Sequence, residues 1–138
     1  MPILQGMCSS FKKESWLGIH DLDTDTLKLA LYTAAADLSQ ATTVYTVSGE
    51  VSGAGYTAGG VTLTNVQVLL SGTTAYVVFD NPTWAGASFV CRGALIYNAS
   101  KADRAIAVLD FGADKTASGT FTLQLPAATA ASALLRFA

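Results

Sequence analysis

Charge is what this chain has least of. Asp, Glu, Lys and Arg make up 13% of its 138 residues, about half the usual share for a soluble domain. The eight Lys and Arg are scattered and the net charge is -2, so no basic stripe exists to neutralise a phosphate backbone, and nucleic acid is not expected as a partner. No apolar run reaches the roughly eighteen residues of a membrane-spanning helix. The opening MPILQGMCSSFKKES sets its lysines after a short apolar stretch, the reverse of a secretory signal, and no membrane association is expected. The two cysteines, Cys8 and Cys91, lie far apart without C-x-x-C spacing, which points to reduced thiols and away from a disulfide framework or a zinc site. His20 is the single histidine, so an imidazole metal site lacks its second ligand.

What is present is apolar and small. Hydrophobic residues make up 51% of the chain, and its length suits one domain able to bury a core without cross-links. Between Asp37 and Asp80 the only charged residue is Glu50. Monomers seldom expose large uncharged apolar surfaces, so this third of the chain reads as surface covered by neighbouring subunits; a neutral coat of Thr and Ser is the alternative.

The dominant period is two. TLKLALYT sets Leu27, Leu29 and Leu31 on one face and Lys28, Ala30 and Tyr32 on the other, the pattern of a half-buried strand. VTLTNVQVLL changes phase at Asn65, as a bulge requires, and Ser71-Gly72 marks a hairpin turn before SGTTAYVVFD. ASFVCRGALIYN, RAIAVLDFG and GTFTLQLP read as further strands, separated by polar turns at residues 80–84, 98–103 and 113–119. Residues 10–17 form a short helix candidate with a Ser cap and a Gly stop, the tail ALLRFA reads as a terminal strand, and the glycines at 49, 53, 55, 59 and 60 predict a flexible loop or arm. The sum is an all-β, single-domain antiparallel β-sandwich, jelly-roll or immunoglobulin-like, over residues 26–138, preceded by an N-terminal arm with one short helix over residues 1–25.

Several strings imitate active sites. Residues 53–58, GAGYTA, fit a dinucleotide fingerprint, but a β-rich segment follows where a helix must begin. Tyr97 and Lys101 have the Y-x-x-x-K spacing of short-chain dehydrogenases, yet they flank a polar turn instead of sharing a helix face. Asp110-Phe111-Gly112 copies a kinase metal-binding triplet without the catalytic loop that accompanies it; it reads as a strand end, with Asp110 pairing Arg92 or Arg104. Asp21, Asp23 and Asp25 match the start of an EF-hand loop, but Thr26 and Tyr32 stand where Gly and Glu are required, leaving a looser calcium site as an alternative. Asn98-Ala99-Ser100 is a glycosylation sequon only in a secreted eukaryotic protein. No G-x-S-x-G elbow supports a catalytic triad. No catalytic, cofactor-binding or metal-binding residue is assigned, and an enzyme is not expected.

Four strings together carry a family likeness: residues 55–60 (GYTAGG), residues 80–84 (DNPTW), residues 92–98 (RGALIYN) and residues 107–112 (AVLDFG), in that order, with GMCSSFKKE before them and ALLRF after. The chain resembles a family of small virion structural proteins of tailed bacteriophages. That resemblance implies a structural role in a particle and no catalytic residues. Combined with the neutral composition, it predicts a capsid decoration or cement protein. Its partners would be the major capsid protein lattice and copies of itself, as a homotrimer, in virions assembled in the bacterial cytoplasm. A tail, neck or fibre-base protein is the alternative, and a glycan-binding module using Trp16, Trp84 and the tyrosines is a third reading. The expected protein-interface residues are Phe11 and Trp16 in the N-terminal arm, Gly53, Gly55, Tyr56, Gly59 and Gly60 in the glycine loop, and Asn81, Pro82 and Trp84 in the turn, with Tyr56 and Trp84 as aromatic anchors. Trp84 could equally be a residue at the edge of the core.

Overall fold

A computed structural model describes residues 3–124 and 135–137. Among them the order of elements is β1 (Gly6–Met7), α1 (Ser9–Trp16), β2 (Leu27–Tyr32), β3 (Val61–Thr62), β4 (Gln67–Ser71), β5 (Thr74–Val78), β6 (Thr83–Asn98), β7 (Arg104–Thr122) and β8 (Leu135–Phe137). The protein is an all-β single domain with one short helix. Its strands form two antiparallel sheets, in the orders β1-β7-β6-β2-β3 and β4-β5-β8. Residues 125–134, which include the Ala-rich part of the tail, lie outside the described residues; Leu135–Phe137 is the terminal strand expected there.

The long β6–β7 hairpin is the spine. Its inner half pairs Gly93–Asp110 through Asn98–Arg104 and its outer half Thr83–Thr122 through Cys91–Lys115. Residues 113–119, read from sequence as a turn, are therefore strand, and Gly112 does not end β7. Gly112 (φ 80°) and Gly119 (φ 95°) lie within the strand instead, where register shifts let the ribbon bend. A local rise in Gly, Ser and Asp signals a turn only when no partner strand lies opposite; here β6 supplies one. Inward positions of the outer half (Trp84, Ala87, Phe89, Ala117) are buried, and the alternate ones, such as Thr83, Ser88, Thr116 and Ser118, face water.

β2 is buried on both faces. Leu27, Leu29 and Leu31 are buried as expected, but so are Ala30 and Tyr32, because residues 33–60 fold back across the second face. Tyr32 donates its hydroxyl to the Thr46 carbonyl at 2.6 Å, Tyr97 donates to the Gly59 carbonyl at 2.6 Å, and Tyr45 stacks on Tyr97 at 4.7 Å between ring centroids. The uncharged middle third is itself more exposed than buried: from Leu38 to Phe79 only Leu38, Val51, Gly59, Leu63 and Val77 are buried, and what residues 33–60 hide is the second face of β2.

The glycines of that loop serve close packing rather than flexibility. A Cβ at Gly60 would lie 1.9 Å from the Leu29 carbonyl oxygen, and one at Gly55 would lie 2.6 Å from the Gly86 carbonyl oxygen. Only a residue without a side chain lets the loop backbone approach these strands. Glu50, the one charge of the segment, ties the loop together. Tyr45 donates to its Oε1 at 2.5 Å, and the Gly59 N–H and the Tyr56 hydroxyl both donate to Oε2.

At Asn65 (φ 54°) the chain leaves one sheet for the other. The phase change read as a bulge is a sheet switch. It is held by Asp80, whose N–H donates to the Thr64 carbonyl at 3.0 Å and whose carboxylate accepts from Asn65 Nδ2 at 3.3 Å. The hairpin at Ser71-Gly72 is as expected, with Gly72 at φ 58°. The N-terminal segment is not a separate arm. Gly6–Met7 pairs with β7, Ile3, Cys8 and Phe11 join the common core, and Cys8, not a serine, precedes the helix, without a side-chain cap.

Candidate functional site

The strings that imitate active sites take up structural duties. Tyr97 and Lys101 diverge: the phenol bonds the glycine loop, and Lys101 Nζ donates to both Asp25 oxygens at 2.9 and 2.8 Å. Burial, followed by the nearby charges of Asp103 and Glu50, raises the Tyr97 phenol to about 12, the wrong direction for proton transfer near neutrality. Asp110 pairs with Arg92 at 3.2 Å and accepts the Gly112 N–H at 2.9 Å. That backbone bond first, with Arg92 also contributing, outweighs burial and holds the carboxyl below its usual range. Gly53 and Gly55 lie against the β6 backbone at Ser88 and Gly86, where a dinucleotide would need open space.

One polar cluster invites a catalytic reading. Glu14 of α1 accepts from His20 Nε2 at 2.8 Å and from Arg104 at 2.8 Å. His20 Nδ1 faces Asn98 Nδ2 at 3.0 Å, and Asn98 Nδ2 also donates to Asp25 at 2.7 Å. The His20 side chain is 1% exposed. Burial works against the Glu14 charge, but the His20 and Arg104 bonds prevail and lower its pKa. Both imidazole nitrogens are occupied by structural partners, so neither is left to take a proton from a nucleophile. The cluster clasps the helix and the residue 20–25 turn to the β6–β7 turn. Asp25 is committed to Lys101 and Asn98, and among the described residues no group of three metal-ligating side chains occurs.

Apolar side chains are exposed on β4 and at the end of α1. All five residues of β4 are exposed, including Val68, Leu69 and Leu70, with Leu70 at 74%. Among the described residues β4 is an edge strand, paired only with β5, so one row of its backbone donors and acceptors has no strand partner there. At the far end of α1, Trp16 is 91% exposed and Leu17 follows it into solvent. Beside them lies a cavity of about 460 Å³, walled by Phe11, Leu22, Val68, Val77 and Leu135 and rimmed by Asp21 and Asp23 among others.

The residues expected to form an interface scatter. Trp16, Gly53, Gly55 and Asn81 are exposed, Tyr56 and Gly60 are half-buried, and Gly59 and Pro82 are buried. Phe11 and Trp84 are each 3% exposed, and a docking anchor must be reachable before it docks. Trp84 packs on Phe121, which meets Phe89, and Phe89 meets Tyr56. Tyr56 fills a gap in the sheet: its hydroxyl accepts the Leu31 N–H at 3.0 Å, and burial together with the adjacent Glu50 carboxylate raises its pKa. A sugar-stacking platform that includes Trp84 is excluded by its burial. The sequence reading recognised β4 as a strand but counted neither it nor Leu17 among the interface residues. A signal was present in Leu69-Leu70, two consecutive leucines where strand alternation calls for one polar residue.

No family model matches the chain, and neither does a curated protein or a solved structure.

Proposed function

We infer that the protein is a structural component of a bacteriophage virion, a capsid decoration protein that binds the assembled head and stabilises it. The observation that carries this reading is β4, which is an edge strand among the described residues, exposed along its whole length and without a charged side chain. Soluble monomers blunt such edges with lysine, proline or a covering loop. An uncovered one suits a protein that works with that edge docked, by strand addition to a partner's sheet. Binding only the assembled lattice lowers the free energy of that state relative to separated subunits, and repetition over a symmetric shell lets each contact be weak. The resemblance of the four sequence strings to small virion proteins supports the same assignment.

The test is to mix purified protein with empty head shells of the phage that encodes it. Saturable binding at a fixed ratio to the major capsid protein, with a raised shell melting temperature, is expected, and Leu70→Lys should abolish both while leaving the subunit folded. Recovery with detached tails in a few copies would assign the protein to the tail or neck instead.

A further inference from the structure

We propose that His20 is a proton-operated latch: a proton taken up at its Nδ1 breaks the contact with Asn98 and releases the β6–β7 turn that Asn98 holds, so that mild acid loosens one end of the spine. This device needs no partner and stands apart from the assembly role above.

An imidazole is the side chain that ordinarily changes charge between about pH 5 and 8. In His20 both ring nitrogens are committed: Nε2 donates to Glu14 at 2.8 Å, and Nδ1 accepts from Asn98 Nδ2 at 3.0 Å. A protonated ring is a donor at both positions, so its Nδ1–H would meet an N–H of Asn98. Two donors cannot share that contact. The His20 side chain is 1% exposed, which leaves solvent out of reach as a substitute acceptor. The side-chain acceptor of Asn98 is Oδ1, and it holds the Ser100 N–H at 3.0 Å. Asn98 can present that oxygen to the ring only by giving up the Ser100 bond and its own 2.7 Å bond to Asp25.

The charges around the ring are already balanced. Glu14 of α1 is shared between His20 and Arg104 of β7, and Asp25 pairs with Lys101 of the β6–β7 turn. Cys8, ahead of the helix, is kept as a neutral thiol by burial and by Glu14. Asp21 and Asp23, on the same turn as His20, are exposed and enter no ion pair among the described residues. Two carboxylates therefore face two cations inside the cluster, and a proton on His20 adds a positive charge without a partner of its own.

The turn is built to move once released. Ala102 (φ 56°) and Asp103 (φ 58°) hold left-handed backbone angles without being glycine, a conformation that persists only where its surroundings impose it. The ties that impose it are the Asn98–Ser100 bond, the Thr26 N–H donating to Ser100 Oγ at 2.8 Å, and Lys101 on Asp25. Turning Asn98 loosens Ser100 and Asp25 together.

The test is NMR of the nitrogen-15-labelled full chain, stepped from about pH 8 to about pH 5. It follows the His20 ring nitrogens, the Asn98 side-chain amide, and hydrogen exchange at the Ser100 N–H corrected for its intrinsic pH dependence. We expect the Asn98 and Ser100 signals to change in step with the ring. Ser100 protection should fall on the order of 10-fold, the loss of one hydrogen bond, while the β2 amides stay protected. His20→Gln can still donate to Glu14 and has nothing to titrate, so its Ser100 profile should be flat; if this variant does not fold, the wild-type titration decides alone. A ring that takes its proton while Ser100 protection is unchanged overturns the proposal. So does a ring that keeps the Nε2–H form until the fold is lost, a loss shared equally by the β2 amides, or a folded His20→Gln with the wild-type response.

Discussion

Asn98 Nδ2 faces Nδ1 of His20 at 3.0 Å, and that contact sets the tautomer of the only imidazole in the chain. The amide cannot be reversed, because its oxygen accepts the Ser100 N–H at 3.0 Å and its nitrogen donates to the Asp25 carboxylate at 2.7 Å. His20 Nδ1 is therefore the acceptor, and Nε2 carries the proton toward Glu14. Nitrogen-15 NMR should show the Nε2–H tautomer. Asn98→Ala strands buried donors and acceptors on three sides and should cost about 2–3 kcal/mol in denaturant unfolding.

Asp25 gives the fold an acid limit. Burial opposes its charge, but bonds from Lys101, Asn98 and the Asp21 N–H outweigh burial and lower its pKa from 3.8 to about 2. Because the folded value lies below the ordinary one, the stabilisation is fully present above about pH 4 and is lost as the pH falls towards 2. Unfolding measured across that window should show stability falling with acid, with a shallower fall in Asp25→Asn. At neutral pH that variant should be weaker by about 2 kcal/mol.

Two glycines with similar backbone angles separate strain from contact. Gly60 (φ 81°) sits against the Leu29 carbonyl, whereas Gly72 (φ 58°) has open space around it. Gly72→Ala should cost about 1–2 kcal/mol, the penalty of a left-handed alanine. Gly60→Ala carries that penalty and a backbone collision as well, and should cost more than about 4 kcal/mol or prevent folding. Equal losses in thermal denaturation would contradict the loop packing described.

The two tryptophans should behave oppositely in the monomer. Trp84→Ala opens a cavity among Phe89, Phe121 and their neighbours and should cost about 3–5 kcal/mol. Trp16→Ala, at an exposed site, should change monomer stability by no more than about 0.5 kcal/mol. The Trp84 indole nitrogen is buried without a hydrogen-bond partner among the described residues, so Trp84→Phe removes an unsatisfied donor along with some volume. It should cost much less than alanine in the same unfolding assay.

The buried thiols should be inert. Burial first, then Glu14 at Cys8 and Asp114 at Cys91, raises both to about 11. The reactive thiolate is therefore scarce at neutral pH. A thiol reagent should label either cysteine only at the rate of unfolding, a rate that denaturant accelerates.

The β2 strand, the start of the 98–103 turn and the Ser71-Gly72 hairpin were legible in the chain because each follows from residues adjacent in sequence; for Asp110 the sequence offered Arg92 or Arg104, and the fold selects Arg92. The β-rich segment after GAGYTA likewise argued against a dinucleotide fingerprint from sequence alone. The candidate surface was less legible. Trp16 was picked out, but Trp84 and Phe11, chosen by the same aromatic rule, proved to be core, since an aromatic side chain carries the same apolar surface whether it faces a core or a partner.

The sequence alone determined that this is a β-domain with a short helix and without a nucleophile-histidine motif, because strand period and motif spacing are local properties. Only the tertiary structure decided that β2 is covered twice, that β7 runs unbroken through its polar stretch, and that the glycine loop is clamped instead of free. Each of those depends on what lies opposite. Gly60 owes its identity to Leu29 and Glu50 its role to Tyr56 and Gly59, and such pairings are set by packing among segments distant in the chain, which no local pattern records.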